Sequence, residues 1–412
     1  MDRRFFLAVA LASCSGAANA QTPRPSDLLG AASEPYFITW LNEFYAKALA
    51  GGLQRAVIDR ELSGLSPDPR VAALDARQPE FARPVSDYIR GAVTDDRIVL
   101  GRSKARVIAA FDAIERTYGV PRDILIGVWA MESGFGALQG DFDVIRSLAT
   151  LAALGRRRPW AESELFSALR ILASGDASRG RLRGSWAGAM GQTQLLPSTY
   201  LAAAVDGDGD GRRDIWGSAP DALASAANLL AKGGWRPGEG WAIEVILPPG
   251  FDYSLSEGPK QPAAWWRGRG ARRADAAAWR PADAAAGAQL ILPAGARGPA
   301  FLVLPNHFAL RTYNTATAYA LAVGLLADRI AGGAPLRTSW PHETPLTLTE
   351  RMDAQAALVR LGYNPGEPDG VVGVATRAAL RAWQKTTRVP ADGYLSPEMV
   401  ARLRTAAPPT RR

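Results

Sequence analysis

Apolar residues recur at helical spacing over most of the first 330 positions. Trp40, Phe44 and Ala48 lie four apart and form one stripe, and Val107, Ile108, Phe111 and Ile114 form another. From residue 34 to about 119 the pattern therefore predicts helices. Residues 121–235 predict more helices, joined by Gly-rich loops; Pro121 can open one of them and Gly134 can end it. The period then changes. Residues 243–247, 289–292 and 301–304 are short apolar runs bounded by Pro and Gly, which predict strands. The stretch 259–285 is rich in Ala, Arg and Pro, holds Trp265, Trp266 and Trp279, and reads as loop. One helix is predicted over 307–331, ending at Gly332-Gly333.

Residues 334–347 have the composition of a linker. The unit that follows, 348–407, is of roughly the minimum size that folds alone. Thr347 and Glu350 have capping-box spacing at the head of its first helix, and Leu358 and Leu361 continue that helix's stripe. Asn364-Pro365-Gly366 and Asp369-Gly370 mark turns. Residues 376–384 predict a second helix with Leu380 and Trp383 inward. Ser396 followed by Pro397 opens a third. The expected fold is mainly α: a helical body over 34–333 with a small β insertion, then a small three-helix C-terminal domain.

Hydrophobic residues make up 47% of the 412, which suits a sizeable core, and no apolar run reaches the length of a bilayer span. The formal charge of +8 favours acidic polymers, but no basic run resembles a nucleic-acid arm, so neither nucleic acid nor a transmembrane span is expected. The N-terminus reads as a secretory signal over 1–20: Asp2-Arg3-Arg4, an apolar stretch over 5–12, then Ala18-Asn19-Ala20 before a mature start at Gln21. A polar leader covers 21–33. Arg3-Arg4-Phe5-Phe6-Leu7 resembles a twin-arginine signal. Leu11-Ala12-Ser13-Cys14 resembles a lipoprotein box, so a lipid anchor at Cys14 ranks second to a cleaved signal and a periplasmic protein.

Cys14 is the only cysteine, and its loss with the signal leaves no thiol. The two histidines, His307 and His342, read as structural or surface residues, and a zinc hydrolase usually needs two or more His ligands. Carboxylates remain for chemistry. Glu132 lies at the end of the helix predicted between Pro121 and Gly134. Leu125, Val128 and Trp129 precede it by seven, four and three residues, on the same face. A carboxyl ending an apolar stripe is poorly solvated, and the negative end of the helix dipole disfavours its anion; both raise its pKa. A glutamic acid protonated near neutral pH is what general-acid attack on a glycosidic oxygen requires. The plainer alternative is a helix-terminal Glu turned to solvent.

Two further segments offer a ligand surface. Residues 185–200 combine small residues, which let backbone approach a ligand, with Ser185, Gln192 and Gln194, whose neutral donors and acceptors suit sugar hydroxyls and acetamides. Residues 313–319 hold Tyr313, Asn314 and Tyr319; a tyrosine face can stack on a pyranose ring and an asparagine can hold an acetamide.

In this order, Val128-Trp129-Ala130-Met131-Glu132-Ser133-Gly134-Phe135-Gly136, Gly188-Ala189-Met190-Gly191-Gln192-Thr193-Gln194 and Tyr313-Asn314 resemble the lytic murein transglycosylase B family, over about 34–333. The resemblance implies a lysozyme-like core in which Glu132 is the single catalytic acid/base. It implies that Ser185, Gln194, Tyr313, Asn314, Tyr319 and Tyr88 contact glycan. Leu229 stands where family members often carry a site tyrosine. Such enzymes cut between N-acetylmuramic acid and N-acetylglucosamine without water, leaving a 1,6-anhydro end. Ordinary glycosidases need two carboxylates, and the nearest other acids, Asp141 and Asp143, fall on an expected loop. A hydrolytic muramidase with a second carboxylate and a non-catalytic wall-binding scaffold are the two alternatives; intact Glu132, Gln194 and Asn314 argue against the scaffold.

Asp206, Asp208, Asp210, Arg212 and Asp214 match an EF-hand-like calcium loop through its ninth position, but the twelfth, Gly217, lacks the bidentate acid. The resembled family carries such a site, so the expectation is a weakly held structural Ca2+ and no required cofactor; the alternative is an Asp-Gly turn cluster. The C-terminal unit resembles the peptidoglycan-binding domain 1 family through Leu361-Gly362-Tyr363, Asp369-Gly370, Trp383-Gln384 and Asp392-Gly393. Peptidoglycan glycan strands are thus the expected partner, and any cell-wall synthesis or division proteins are left unnamed by the sequence.

Overall fold

The computed structural model describes residues 33–76 and 83–407. The expected signal peptide, Cys14 and nearly all of the expected leader lie outside the described residues. The chain divides into two units: residues 1–78 with 99–233, and residues 79–98 with 234–412.

The first unit is helical. α1 (Ser33–Ala50) buries Phe37, Trp40, Phe44 and Ala48, as its stripe predicts. α2 (Arg55–Leu62) and α3 (Pro69–Ala76) follow. The chain then contributes α4 (Val85–Ala92) to the second unit and returns along α5 (Asp95–Val107). The predicted stripe from Val107 to Ile114 is not one helix. α5 stops at Val107, which is 70% exposed, and α6 (Phe111–Tyr118) starts afresh with Phe111 and Ile114 buried. The break shifts the phase of the period, so Val107 leaves the stripe.

α7 (Arg122–Ser133) is buried on nearly every side. Pro121 flanks its start and Gly134, at φ +58°, ends it in the left-handed conformation that a residue without Cβ adopts cheaply. A two-residue ribbon pairs β1 (Phe142–Asp143) with β2 (Arg183–Gly184), antiparallel. Between the two strands α8 (Val144–Leu154) packs along α9 (Arg158–Ser174). α10 (Pro197–Ala203) and α11 (Ala219–Lys232) complete the unit, with α11 against α6 and α7.

The second unit holds the expected sheet: β3 (Ala242–Ile246), β6 (Gly287–Ile291) and β7 (Ala300–Val303). With β4 (Gln261–Pro262) and β5 (Arg272–Arg273) at its edges, its full antiparallel order is β4-β6-β7-β3-β5. The pairing sets Leu302 between Ile243 and Leu290, and this buried row anchors one core face. The stretch read as loop contains short elements: β4 (Gln261–Pro262), α12 (Ala263–Gly268), β5 (Arg272–Arg273) and α13 (Pro281–Ala285). Trp266 is buried there and donates its indole N–H to the Ala288 carbonyl at 3.1 Å.

The single helix predicted over 307–331 is two. α14 (Pro305–Tyr313) ends at Asn314, whose backbone is extended and whose Oδ1 accepts from the Ala316 amide at 3.0 Å; α15 (Thr317–Ile330) then begins. This local side-chain turn competes with helix continuation. α4 packs on α15.

The C-terminal helices are α16 (Leu348–Arg360), α17 (Val374–Thr386) and α18 (Pro397–Ala406). The Thr347–Glu350 capping box is formed in both directions, and Ser396 caps α18 ahead of Pro397. Leu358, Leu380, Trp383 and Leu403 meet in one core. Residues 334–347 form no helix or strand but lie on the sheet: Glu244 accepts from the amides of Arg337 (2.9 Å) and Thr338 (2.8 Å), and the Trp340 ring is 6.3 Å from that of Phe301.

Candidate active site

In the first unit, Glu132 is the penultimate residue of α7 and is half-buried. The loop at 185–195 braces this helix end. Trp129 donates its indole N–H to Gln192 Oε1 at 3.1 Å, and Gln192 Nε2 donates to the Trp216 carbonyl at 3.2 Å. Ser133 Oγ donates to the Gln192 carbonyl and accepts from the Gly136 amide at 2.8 Å. Gln192 is therefore a positioning residue whose amide is engaged at both ends. Its role was invisible in the sequence, where Gln192 and Gln194 look alike.

Gln194 has the left-handed φ of +50°, uncommon for a residue with a side chain. Its Nε2 donates to the carbonyls of Gln139 (3.0 Å) and Gly191 (2.8 Å), so Oε1 is the atom it can offer a ligand. Ser185 is half-buried; its Oγ accepts from the Ala189 amide at 3.1 Å, which leaves its hydroxyl proton to donate. The backbone here is close-packed. A Cβ on Gly140 would stand 2.1 Å from the Gly184 carbonyl oxygen, so only glycine fits. Phe135, at φ +64°, adds a second strained residue three positions after Glu132.

The acids nearest Glu132 in sequence have different fates. Asp143 caps α8 through the Arg146 amide at 3.0 Å and pairs with Arg179 at 2.9 Å. It is committed to structure. Asp141 is exposed, immediately before β1. Leu229 is half-buried on α11.

In the second unit, Tyr313 and Tyr319 stack with centroids 6.4 Å apart and planes 12° apart. Tyr313 is half-buried at the end of α14; Tyr319 is 2% exposed on α15, so it supports the Tyr313 ring rather than offering a face of its own. Asn314 lies between the helices and uses Oδ1 on the Ala316 amide. Tyr88 is half-buried on α4, the helix that packs on α15.

The aspartate loop differs from its sequence reading in two carboxylates, one gained and one lost. Asp206, Asp208 and Asp210 are joined by Asp221, with carboxylate oxygens all within 4.8 Å of one another. Asp221, on α11 and fully buried, lies beyond the twelve-residue loop and adds a carboxylate that Gly217 lacks. Asp214 is not in the group: it pairs with Arg181 at 2.6 Å and accepts from the amides of Trp216 and Gly217. Arg212 is exposed in the loop and donates its amide to Asp210 at 2.8 Å. Burial, aided by the charge of Asp208, raises the Asp221 carboxyl above its usual range, against hydrogen bonds from Gly207 and Asp214. Four hard oxygen donors with mutual repulsion fit a divalent cation.

His307 is buried and stacks against Trp241, and His342 is exposed on the strip over the sheet. Neither lies in the groups just described.

A helical body with a braced glutamate at a helix end, a small antiparallel sheet and a three-helix module is the architecture of the lysozyme-like lytic transglycosylases. The chain belongs to the transglycosylase SLT domain family, whose model matches residues 36–328, and residues 347–403 match the putative peptidoglycan binding domain family. It is 33% identical over 237 residues to the membrane-bound lytic murein transglycosylase B of Escherichia coli K12; the match spans 53% of this chain and 60% of that relative's length. Among solved structures it resembles Pseudomonas aeruginosa SltB3 in complex with NAG-anhNAM-pentapeptide, with TM-score 0.86 and 46% identity, covering 89% of this chain and 99% of that one. It also resembles the Escherichia coli lytic transglycosylase Slt35 in complex with calcium, with TM-score 0.60 and 27% identity, covering 73% and 94%.

Proposed function

We propose that the protein is a lytic transglycosylase that cleaves the β-1,4 bond between N-acetylmuramic acid and N-acetylglucosamine in peptidoglycan. The observation that carries this is the braced Glu132 at the end of α7, with Asp143 already committed to Arg179. Glu132 gives its proton to the glycosidic oxygen as the bond breaks. The carboxylate then takes the proton of the muramic 6-hydroxyl while that oxygen closes on C1. No water is consumed, and one group serves as acid and then base. Ser185, Gln194, Tyr88, Tyr313 and Asn314 are the proposed glycan contacts, with Tyr319 supporting Tyr313. SltB3 has been solved with NAG-NAM-pentapeptide, which supports a substrate that carries its stem peptide.

The Asp206, Asp208, Asp210 and Asp221 group would hold a structural divalent cation, in line with calcium in the Slt35 complex. The N-terminal signal reading supports export to the periplasm. No described helix is long and apolar enough to cross a membrane. Mass spectrometry of digested sacculi tests the reaction. Muropeptides with 1,6-anhydro ends, lighter by one water than hydrolysed ones, are expected. Reducing muramic ends would mark a hydrolytic muramidase.

A further inference from the structure

α14 carries more than the tyrosine at its end. Arg311 follows His307 by four residues and Phe308 by three, the spacings that bring helix side chains together. Lys260, just before β4, holds its ammonium 3.5 Å from the centre of the Phe308 ring. Phe308 meets the His307 ring edge-on at 5.5 Å. Arg311 is half-buried and donates Nε to the Thr315 carbonyl at 2.9 Å.

This patch is short of negative charge. Among the described residues no carboxylate forms a hydrogen bond or ion pair with Lys260 or Arg311. Glu257, the acid whose field reaches Arg311, is held by Arg377 and Arg381. Arg236, whose charge acts on Lys260, is paired with Glu239 at 3.6 Å. Burial, then the charges of Arg236 and Arg311, lower the pKa of Lys260. The Nδ1 of buried His307 has no partner. Burial, then the charges of Arg311 and Lys260, push that histidine down to about 3. It therefore stays neutral and cannot itself repel an anion.

We propose that Lys260 and Arg311, flanking Phe308, form a subsite for a carboxylate of the stem peptide on the glycan strand. The proposal rests on the peptidoglycan-cleaving reading given above. Arg311 and Tyr313 both lie in the last turn of α14, which places the patch and that tyrosine at one end of the helix. A guanidinium fork matches a carboxylate, and the ammonium adds a point charge beside it.

The test uses the full-length protein and the Lys260→Gln/Arg311→Gln double variant on two substrates. One is glycan strands with stem peptides; the other is the same strands stripped by an amidase. The double variant should lose about tenfold in kcat/KM on peptide-bearing strands, through KM, roughly 1.4 kcal/mol. Both proteins should cleave stripped strands equally well. Equal loss on both substrates would overturn the subsite. In parallel, the wild type is titrated with free stem pentapeptide, as acid and with all its carboxyl groups amidated, by NMR. Tighter binding of the acid is expected, and no preference would also overturn the subsite. A wild type that cleaves neither strand would defeat the enzymatic reading, while the titration still decides the subsite. Lys260→Gln alone, at an exposed position, serves if the Arg311 change prevents folding.

Discussion

Arg377 grips Glu257. Its Nε lies 2.9 Å and 3.0 Å from the two carboxylate oxygens, and its Nη2 lies 2.8 Å from Oε1. Arg381 adds a bond of 2.8 Å to Oε2. Glu257 itself sits at φ +58°, a strained value for a residue with a side chain. Both arginines are on α17, so one acid from the sheet region holds the three-helix module. Asp392 repeats the contact in reverse, accepting from the Ala296 amide at 2.8 Å.

Replacing Glu257 by Gln should therefore loosen the module. The loss of a mostly buried, doubly paired charge should cost about 1–3 kcal/mol, or roughly 2–4 °C in Tm for each kcal/mol. Limited proteolysis within 334–347 should accelerate. Burial pushes the Glu257 carboxyl up, but the hydrogen bonds and charges of Arg377 and Arg381 outweigh it and leave the pKa lowered. The stabilisation is thus present above the usual glutamate range and fades as pH falls through the lowered value. The Tm gap between wild type and variant should shrink in acid; identical Tm values at pH 7 would refute the clamp.

Glu132→Gln keeps shape and hydrogen bonding but removes the transferable proton. Turnover should fall by at least roughly 10²-fold, with little change in the binding of uncleaved strands. A variant that releases anhydro-muropeptides at the wild-type rate would remove Glu132 from its role.

His307 makes an acid-sensitivity prediction. The unfolded chain's histidine takes up a proton near pH 6.5, whereas the folded one resists until about 3. Stability from this site is intact above pH 6.5 and declines as pH falls towards 3. In His307→Leu, Tm should decline less steeply across that window than in wild type. Parallel curves would show that the buried ring does not govern it.

Calcium should raise Tm by preferential binding to the folded state; at 100 times the Kd the gain is about 2.7 kcal/mol. Asp221→Asn and Asp208→Asn should each abolish most of the rise. Asp214→Asn should retain it, because Asp214 is occupied with Arg181. A calcium response unchanged in Asp221→Asn would refute the four-aspartate site.

Much of this was legible in the sequence, for local reasons. α7 announces itself through Pro121 and Gly134, the strands through apolar runs between Pro and Gly, and α16 through its capping box. What escaped depends on contacts distant in sequence or on subtle breaks. The α14–α15 junction carries neither Gly nor Pro, only an asparagine that turns back on its own backbone. The short elements of 259–285 are too brief for any period to register. Asp221 sits outside the loop template; its one local signal is the N-cap spacing Ser218 to Asp221, which seats it at the head of α11. Nothing in residues 85–92 marks them as belonging with the second unit.

That last placement has a consequence in time. α4 buries Ile89 and Ala92, and the helix it packs on, α15, lies roughly 200 residues further along the chain. At roughly 5–20 residues per second of synthesis, α4 waits some 10–40 s for its neighbour. The second unit thus closes late, over a long loop whose ends must find each other. A chain cut short before Thr317 would leave α4 permanently without its partner. Only chains synthesised through α15 can shelter that apolar face.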